Sequence, residues 1–101
     1  MYGKLDKIGQ FKNVNEKYFT YILECSDKSY YIGSTNDLTQ RIARHNTGQA
    51  AEWTKNRRPV RLVYSEEHPS LTEATRREKQ IKHWSRIKKE NLIRGIWKKK
   101  I

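Results

Sequence analysis

From Tyr18 to Glu24 the chain reads Tyr-Phe-Thr-Tyr-Ile-Leu-Glu, and after Cys25-Ser26-Asp27-Lys28 the stretch Ser29 to Gly33 returns to the same aromatic and branched character. Two β-favouring runs joined by a short polar link predict a β-hairpin. The link contains Asp27 but neither Asn-Gly nor Asp-Gly, so the turn type is left open. Val60 to Tyr64 predicts a third strand.

Helices are expected around these strands. Thr35, Asn36 and Asp37 are all candidate caps for a helix carrying Leu38 and Ile42 four apart, running to Asn46 and stopped by Thr47-Gly48. Between Gly48 and Pro59 a polar, basic segment predicts a surface loop. Ser70 to Glu73 has the Ser-x-x-Glu form of a capping box, which starts a second helix with an inward stripe through Leu71, Ala74, Glu78 and Ile81. A last basic helix follows from Ser85, with Ile87, Leu92, Ile93 and Trp97 facing inward. Trp84 is expected in the core rather than as a stacking platform.

One domain is the limit for 101 residues, and with 35% apolar and 33% charged residues its core must be small and rich in aromatics. Residues 1 to 16 lack periodic pattern and predict a loosely ordered lead-in, 17 to 97 a single domain, and 98 to 101 a basic tail. The lone Cys25 excludes an intramolecular disulfide, and no Cys/His cluster has zinc spacing. The absence of a long apolar run argues against secretion and membrane spanning, so a soluble cytoplasmic protein is expected.

Charge is distributed unevenly. Residues 1 to 75 carry 11 basic and 9 acidic side chains, whereas residues 76 to 101 carry 11 and 2, leaving +9 of the total +11 in the C-terminal quarter. Such a concentration suits a polyanion, because each neutralised phosphate releases condensed counterions. The plain alternative is a solvated basic helix.

Glu78 interrupts the apolar stripe of the second helix. A carboxylate there needs a cation, hydrogen-bond donors or a metal; the structural alternative is a salt bridge to Arg41, Arg76 or Lys82. Arg41 and His45, four apart, share one face of the first helix. The guanidinium suits a phosphate, and the imidazole suits orienting a water or donating a proton, while the ordinary fates are a surface ion pair and a helix-end cap.

Together, Tyr21 and Tyr31 ten apart, Tyr31-Ile32-Gly33, Arg41, His45 and Glu78 resemble the GIY-YIG endonuclease family over about residues 18 to 93. The chain is similar to its small single-domain branch and to the N-terminal nuclease domain of the bacterial excision-repair subunit, through Tyr21 to Asp27 and Trp84 to Glu90. The resemblance implies an α+β fold, a three-stranded largely antiparallel sheet flanked by helices. It also implies an endonuclease using one Mg2+ or Mn2+ ion on DNA, in repair or recombination. Tyr21 and Tyr31 would then bond the attacking water and the phosphate, one of them as general base, Arg41 would stabilise the pentacovalent phosphorane, and Glu78 would ligate the metal. Asn91 is a further candidate by analogy with a later asparagine of the family. Expected nucleic-acid contacts are Gly33, Trp53, Lys55, Arg57, Arg58, Arg76, Arg77, Lys79 and Lys82, with the cations tracking phosphates and Trp53 stacking on a base.

The first motif departs from the family pattern, reading Phe19-Thr20-Tyr21. Ser34 stands where some relatives carry a lysine that helps ionise the tyrosine. With no recognition-helix signature, selectivity for nucleic-acid structure is favoured over sequence-specific cutting. The competing expectation is a binding module without turnover of its own, or one that depends on a protein partner for targeting or cleavage.

Overall fold

The computed structural model describes residues 3–5, 11–13 and 17–95. Strands β1 (Gly3–Leu5) and β2 (Phe11–Asn13) pair antiparallel, Leu5 opposite Phe11. This pairing lies inside the segment expected to be loosely ordered. Strands of three residues are too short to show an alternating pattern. Trp97 and the expected basic tail lie outside the described residues.

Strands β3 (Tyr18–Glu24) and β4 (Tyr30–Thr35) form the expected hairpin, with Tyr21 opposite Gly33 and Leu23 opposite Tyr31. Its turn closes through Cys25 N–H to the Ser29 carbonyl at 2.8 Å and Lys28 N–H to the Cys25 carbonyl at 2.9 Å. Lys28 takes a φ of 72°, and the Asp27 carboxylate accepts the Ser29 N–H at 3.0 Å. An Asx-type side-chain bond thus takes the place of the missing Asn-Gly pair.

Helix α1 (Leu38–Asn46) is capped by Asp37, which accepts the Gln40 N–H at 3.0 Å, and Gly48 follows with φ +80°. One helical turn, α2 (Glu52–Lys55), interrupts the segment expected to be a loop. Strand β5 (Arg61–His68) pairs antiparallel with β3, giving the order β4-β3-β5. It runs to His68 rather than ending at Tyr64, because its polar second half is held by hydrogen bonds. Glu66 accepts from Tyr64, His68 and Arg77.

Helices α3 (Leu71–Lys82) and α4 (Arg86–Arg94) are capped by Ser70 and Ser85, which accept from the Glu73 and Lys88 N–H groups, each at 3.2 Å. Gly95 ends α4 in the left-handed region. The three-stranded antiparallel sheet flanked by helices makes this an α+β fold, as expected.

Both faces of β3 are covered, so Thr20 to Leu23 is an unbroken buried run rather than an alternation. One face carries Tyr21, Leu23, Cys25 and Val60, with Tyr31, Leu38 and Ile42 against them. The other carries Ile22, Ile32, Ile81 and Leu92, with Trp84 and Ile93 among the residues packed on them. Two expected core residues are on the surface instead. Leu71 is 51% exposed in the first turn of α3, beyond the stretch that Ala74 and Ile81 seat on the sheet. Ile87 is 70% exposed, because it stands five positions before buried Leu92, which places the two on different sides of a helix.

Candidate active site

Tyr21 projects from the central strand and is 1% exposed. Its ring crosses the partner strand directly over Gly33, where an added Cβ would lie 2.4 Å from Oη and 2.6 Å from Cζ. Gly33, expected to contact nucleic acid, is buried beneath this ring, and its lack of a side chain admits the tyrosine.

The Tyr21 hydroxyl meets His45 Nε2 at 3.1 Å, and His45 Nδ1 lies 2.9 Å from Thr54 Oγ1. Tyr31 adds its ring, with its centroid 4.9 Å from that of His45 and 6.5 Å from that of Tyr21. Burial pushes the Tyr21 phenol up to about 12, against the pull of the Arg41 guanidinium and with smaller upward contributions from Tyr31 and Glu78. Burial, aided by the Arg41 charge, pushes His45 down to about 4. Near neutral pH the pair is a neutral phenol beside a neutral imidazole.

Arg41 and Glu78 approach from elements packed on opposite faces of the sheet and meet around one residue. β4 is an edge strand, so side chains from both faces can reach its open side. Arg41 Nη1 donates to the Ser34 carbonyl at 3.4 Å, while the Ser34 hydroxyl donates to Glu78 Oε1 at 2.8 Å. The other Glu78 oxygen pairs with Lys82 Nζ at 2.8 Å. Lys82 was one of three partners open to Glu78 on sequence grounds, and this ion pair raises the Lys82 pKa. The influence of Arg41 and Glu78 on the Tyr21 phenol ties this edge to the tyrosine pair.

Among the described residues no group of three or more His, Cys, Asp and Glu side chains is placed to hold a metal. A single carboxylate still fits an ion such as Mg2+, which keeps several waters and is commonly held by one or two carboxylates plus substrate phosphates. The Glu78 side chain is 17% exposed, so it is reachable from solvent.

The expected phosphate contacts divide by their existing bonds. Arg77 donates to Glu66 at 2.7 Å and to Gln80 at 2.8 Å and lies over the Trp84 ring, which makes it a staple between β5 and α3. Arg57 pairs with Asp27 and lies 4.0 Å over the Trp53 ring, whose other stacking neighbour is Tyr31. A base would therefore meet Trp53 already partnered. Lys55 and Arg58 line an open groove of about 530 Å³ with Asn46, Asn56 and Pro59, where Arg58 already donates to the Lys55 carbonyl at 2.8 Å and the Asn46 carbonyl at 3.3 Å. Arg76 and Lys79 are exposed on α3. Asn91 is half-buried in α4, and among the described residues no hydrogen bond ties its side chain to Glu78 or the tyrosines. Trp84 packs on the second core cluster, as expected.

Thr54 is the residue that sequence reasoning missed. It sits in a polar segment with no apolar periodicity, yet it is 0% exposed. Only the fold, which lays α2 against the end of α1, reveals its contact with His45.

The paired-tyrosine hairpin carries an arginine and a carboxylate that meet at its edge, and the family model described as the GIY-YIG catalytic domain matches residues 17–91. The chain belongs to the GIY-YIG family, a family of nucleases. Its relatives include UPF0213 proteins of Staphylococcus aureus, 47% identical and covering 78% of this chain and 96% of the relative, and of Staphylococcus saprophyticus, 49% identical and covering 77% and 95%. Among solved structures, the UPF0213 protein BH0048 from Bacillus halodurans is 47% identical, with a TM-score of 0.50 over 76% of this chain and 82% of that one. The protein EF2693 from E. faecalis is 26% identical, with a TM-score of 0.57 over 100% and 96%. No helix among the described residues is long and apolar enough to cross a membrane.

Proposed function

We propose that the protein is a divalent-metal-dependent endonuclease that hydrolyses DNA phosphodiester bonds in the cytoplasm and selects substrates by structure, such as nicks, flaps or branches. One observation carries this reading: Arg41 and Glu78 both bond Ser34, beside the Tyr21–His45 pair. A scissile phosphate seated there would face a guanidinium, two phenols and a carboxylate.

The main barrier in cleaving an anionic diester is the further negative charge gained at phosphorus. Arg41 opposes that charge, and the Tyr31 hydroxyl bonds a phosphate oxygen. The Tyr21 oxygen accepts a proton from the attacking water. A Mg2+ or Mn2+ ion held by Glu78 would supply Lewis-acid stabilisation of the phosphate oxygens.

The resting pair does not hold a phenolate. With Tyr21 near 12 and His45 near 4, full transfer of the phenol proton costs on the order of 10 kcal/mol. Tyr21 therefore acts as a proton conduit during attack, not as a standing base.

Plasmid nicking and cleavage of a panel of branched, single-stranded and duplex DNAs in Mg2+ or Mn2+, with EDTA controls, test the proposal. Glu78→Ala should abolish cleavage while the fold persists; a variant that cuts as well as the parent removes the mechanism. The Lys82 ammonium on Glu78 favours a second reading, a nucleic-acid-binding module whose carboxylate is kept neutralised. Salt-sensitive binding without cleavage under every metal condition would support that alternative.

A further inference from the structure

We infer that Thr54 is a positioning residue that fixes His45 as the Nδ1–H tautomer and thereby aims the bare Nε2 lone pair at the Tyr21 hydroxyl. The inference follows from counting protons along a dry chain of contacts. Tyr21 and His45 are each 1% exposed and Thr54 is 0% exposed, so little water competes for their bonds.

Thr54 Oγ1 touches two groups, the Ala51 carbonyl at 3.2 Å and His45 Nδ1 at 2.9 Å. A carbonyl only accepts, so the single hydroxyl proton belongs to that bond, leaving the threonine oxygen to accept from Nδ1–H. The opposite arrangement would set oxygen lone pairs of Thr54 and Ala51 against each other. A threonine bonding the carbonyl three residues back is a common local arrangement in a helical turn, which is why a segment as short as α2 can orient it. With the proton on Nδ1, Nε2 of the neutral ring has none, and the bond at 3.1 Å must be donated by Tyr21.

The direction matters for the chemistry proposed above, on which this functional consequence rests. A phenol that donates to His45 keeps oxygen lone pairs available on its other side. As the water O–H bond breaks, its proton joins the Tyr21 oxygen while the phenolic proton moves to Nε2. The hydroxide equivalent bonds to phosphorus, and the ester P–O bond opposite breaks with its electron pair going to the leaving oxygen. That oxygen takes a proton from solvent, and His45 is left as the cation. In the reversed tautomer Nε2–H would occupy a lone pair of the phenol, and the ring would have no site to receive a proton from it. Thr54 does not touch the reacting atoms; it acts through His45.

Long-range 1H–15N correlation spectra of 15N-labelled protein read the tautomer without requiring activity. The wild type and Thr54→Ser should show Nδ1–H. Thr54→Val, which keeps the shape but lacks the hydroxyl, should shift the population toward Nε2–H. In cleavage assays Thr54→Val should lower kcat at least roughly tenfold with little change in KM, and Thr54→Ser should restore it. A wild-type spectrum showing Nε2–H, or a folded Thr54→Val that keeps the Nδ1–H tautomer, overturns the inference. If Thr54→Val fails to fold, the wild-type and Thr54→Ser spectra still decide. An Nδ1–H spectrum from a protein that cuts nothing would support the tautomer assignment and remove the hydrolytic reading instead.

Discussion

Tyr21 and Gly33 face each other across β3 and β4 so closely that a β-carbon on residue 33 would sit 2.4 Å from the phenol oxygen and 2.6 Å from the ring carbon that bears it. Tyr21 is buried and cannot swing into solvent to make room. Gly33→Ala is therefore expected to destabilise the fold by about 1–3 kcal/mol through overpacking and to misplace the hydroxyl from His45. Removing the hydroxyl in Gly33→Ala/Tyr21→Phe should not rescue stability, since the clash with the ring carbon remains. Urea denaturation of both variants checks this, and a Gly33→Ala protein as stable as the parent would show that the strands are not so tightly apposed.

A pH dependence of stability follows from His45. Its folded pKa of about 4 lies below the value of 6.5 for an unperturbed imidazole, so between those pH values the unfolded chain binds a proton that the folded chain refuses. Stability from this group is fully present above pH 6.5 and falls as the pH drops toward 4. The loss amounts to on the order of 3 kcal/mol. Denaturant midpoints at pH 7 and pH 4.5 should differ accordingly, and His45→Asn should remove much of that difference.

Glu66 gives a carboxylate counterpart on the far side of the sheet. Burial pushes its pKa up, but hydrogen bonds from Tyr64 and Arg77 outweigh that and hold it below the usual carboxylate range. Its contribution is present above the unfolded carboxylate pKa and is lost as the pH falls through the folded one. Glu66→Gln is expected to cost about 1–3 kcal/mol, because Tyr64, His68 and Arg77 lose a charged acceptor. Cleavage per folded molecule should not change; a loss of turnover without a loss of stability would contradict the structural role.

The sequence disclosed those features that repeat or that have fixed local chemistry. The tyrosine-bearing hairpin, the Ser70 cap and the carboxylate of Glu78 on an otherwise apolar stripe were legible, because each is set within a few residues. The first helix offered three candidate caps, Thr35, Asn36 and Asp37, of which Asp37 takes the role. Thr54 was not, since its importance lies in a contact with His45, nine residues away, that only the packing of α2 creates. The commitment of Arg77 to Glu66 was hidden for the same reason, eleven residues apart and across two elements. Charge told that phosphates were a fitting partner, but it could not tell which cations were already occupied.

Lys55 and Arg58 line the open groove beside α2, but the Arg58 guanidinium already donates to the Lys55 and Asn46 carbonyls, so Lys55 is the cation of the two better placed to follow a strand past the site. Removing one cation from a phosphate should lower the salt dependence of binding by about one unit of slope. Lys55→Gln is therefore expected to weaken binding to different DNA sequences uniformly and to reduce the slope of log affinity against log salt by about one. Titrations over a range of salt concentrations check this, and an unchanged slope would move the strand to another face.

Lys82 holds one oxygen of Glu78 at 2.8 Å, and a metal ion arriving at that carboxylate must compete with its ammonium. Lys82→Met removes the competitor while keeping most of the aliphatic stem. An ion pair one helical turn apart contributes only about 0.3–0.5 kcal/mol, and the Ser34 hydroxyl still holds the half-buried Glu78 carboxylate, so the fold should hardly notice. The ion concentration giving half-maximal cleavage should fall several-fold, and direct titration with Mn2+ should show tighter binding that Glu78→Ala abolishes. Should Lys82→Met need more metal rather than less, the ammonium would be supporting the site instead of competing for it, and Glu78 would not be the residue that receives the ion.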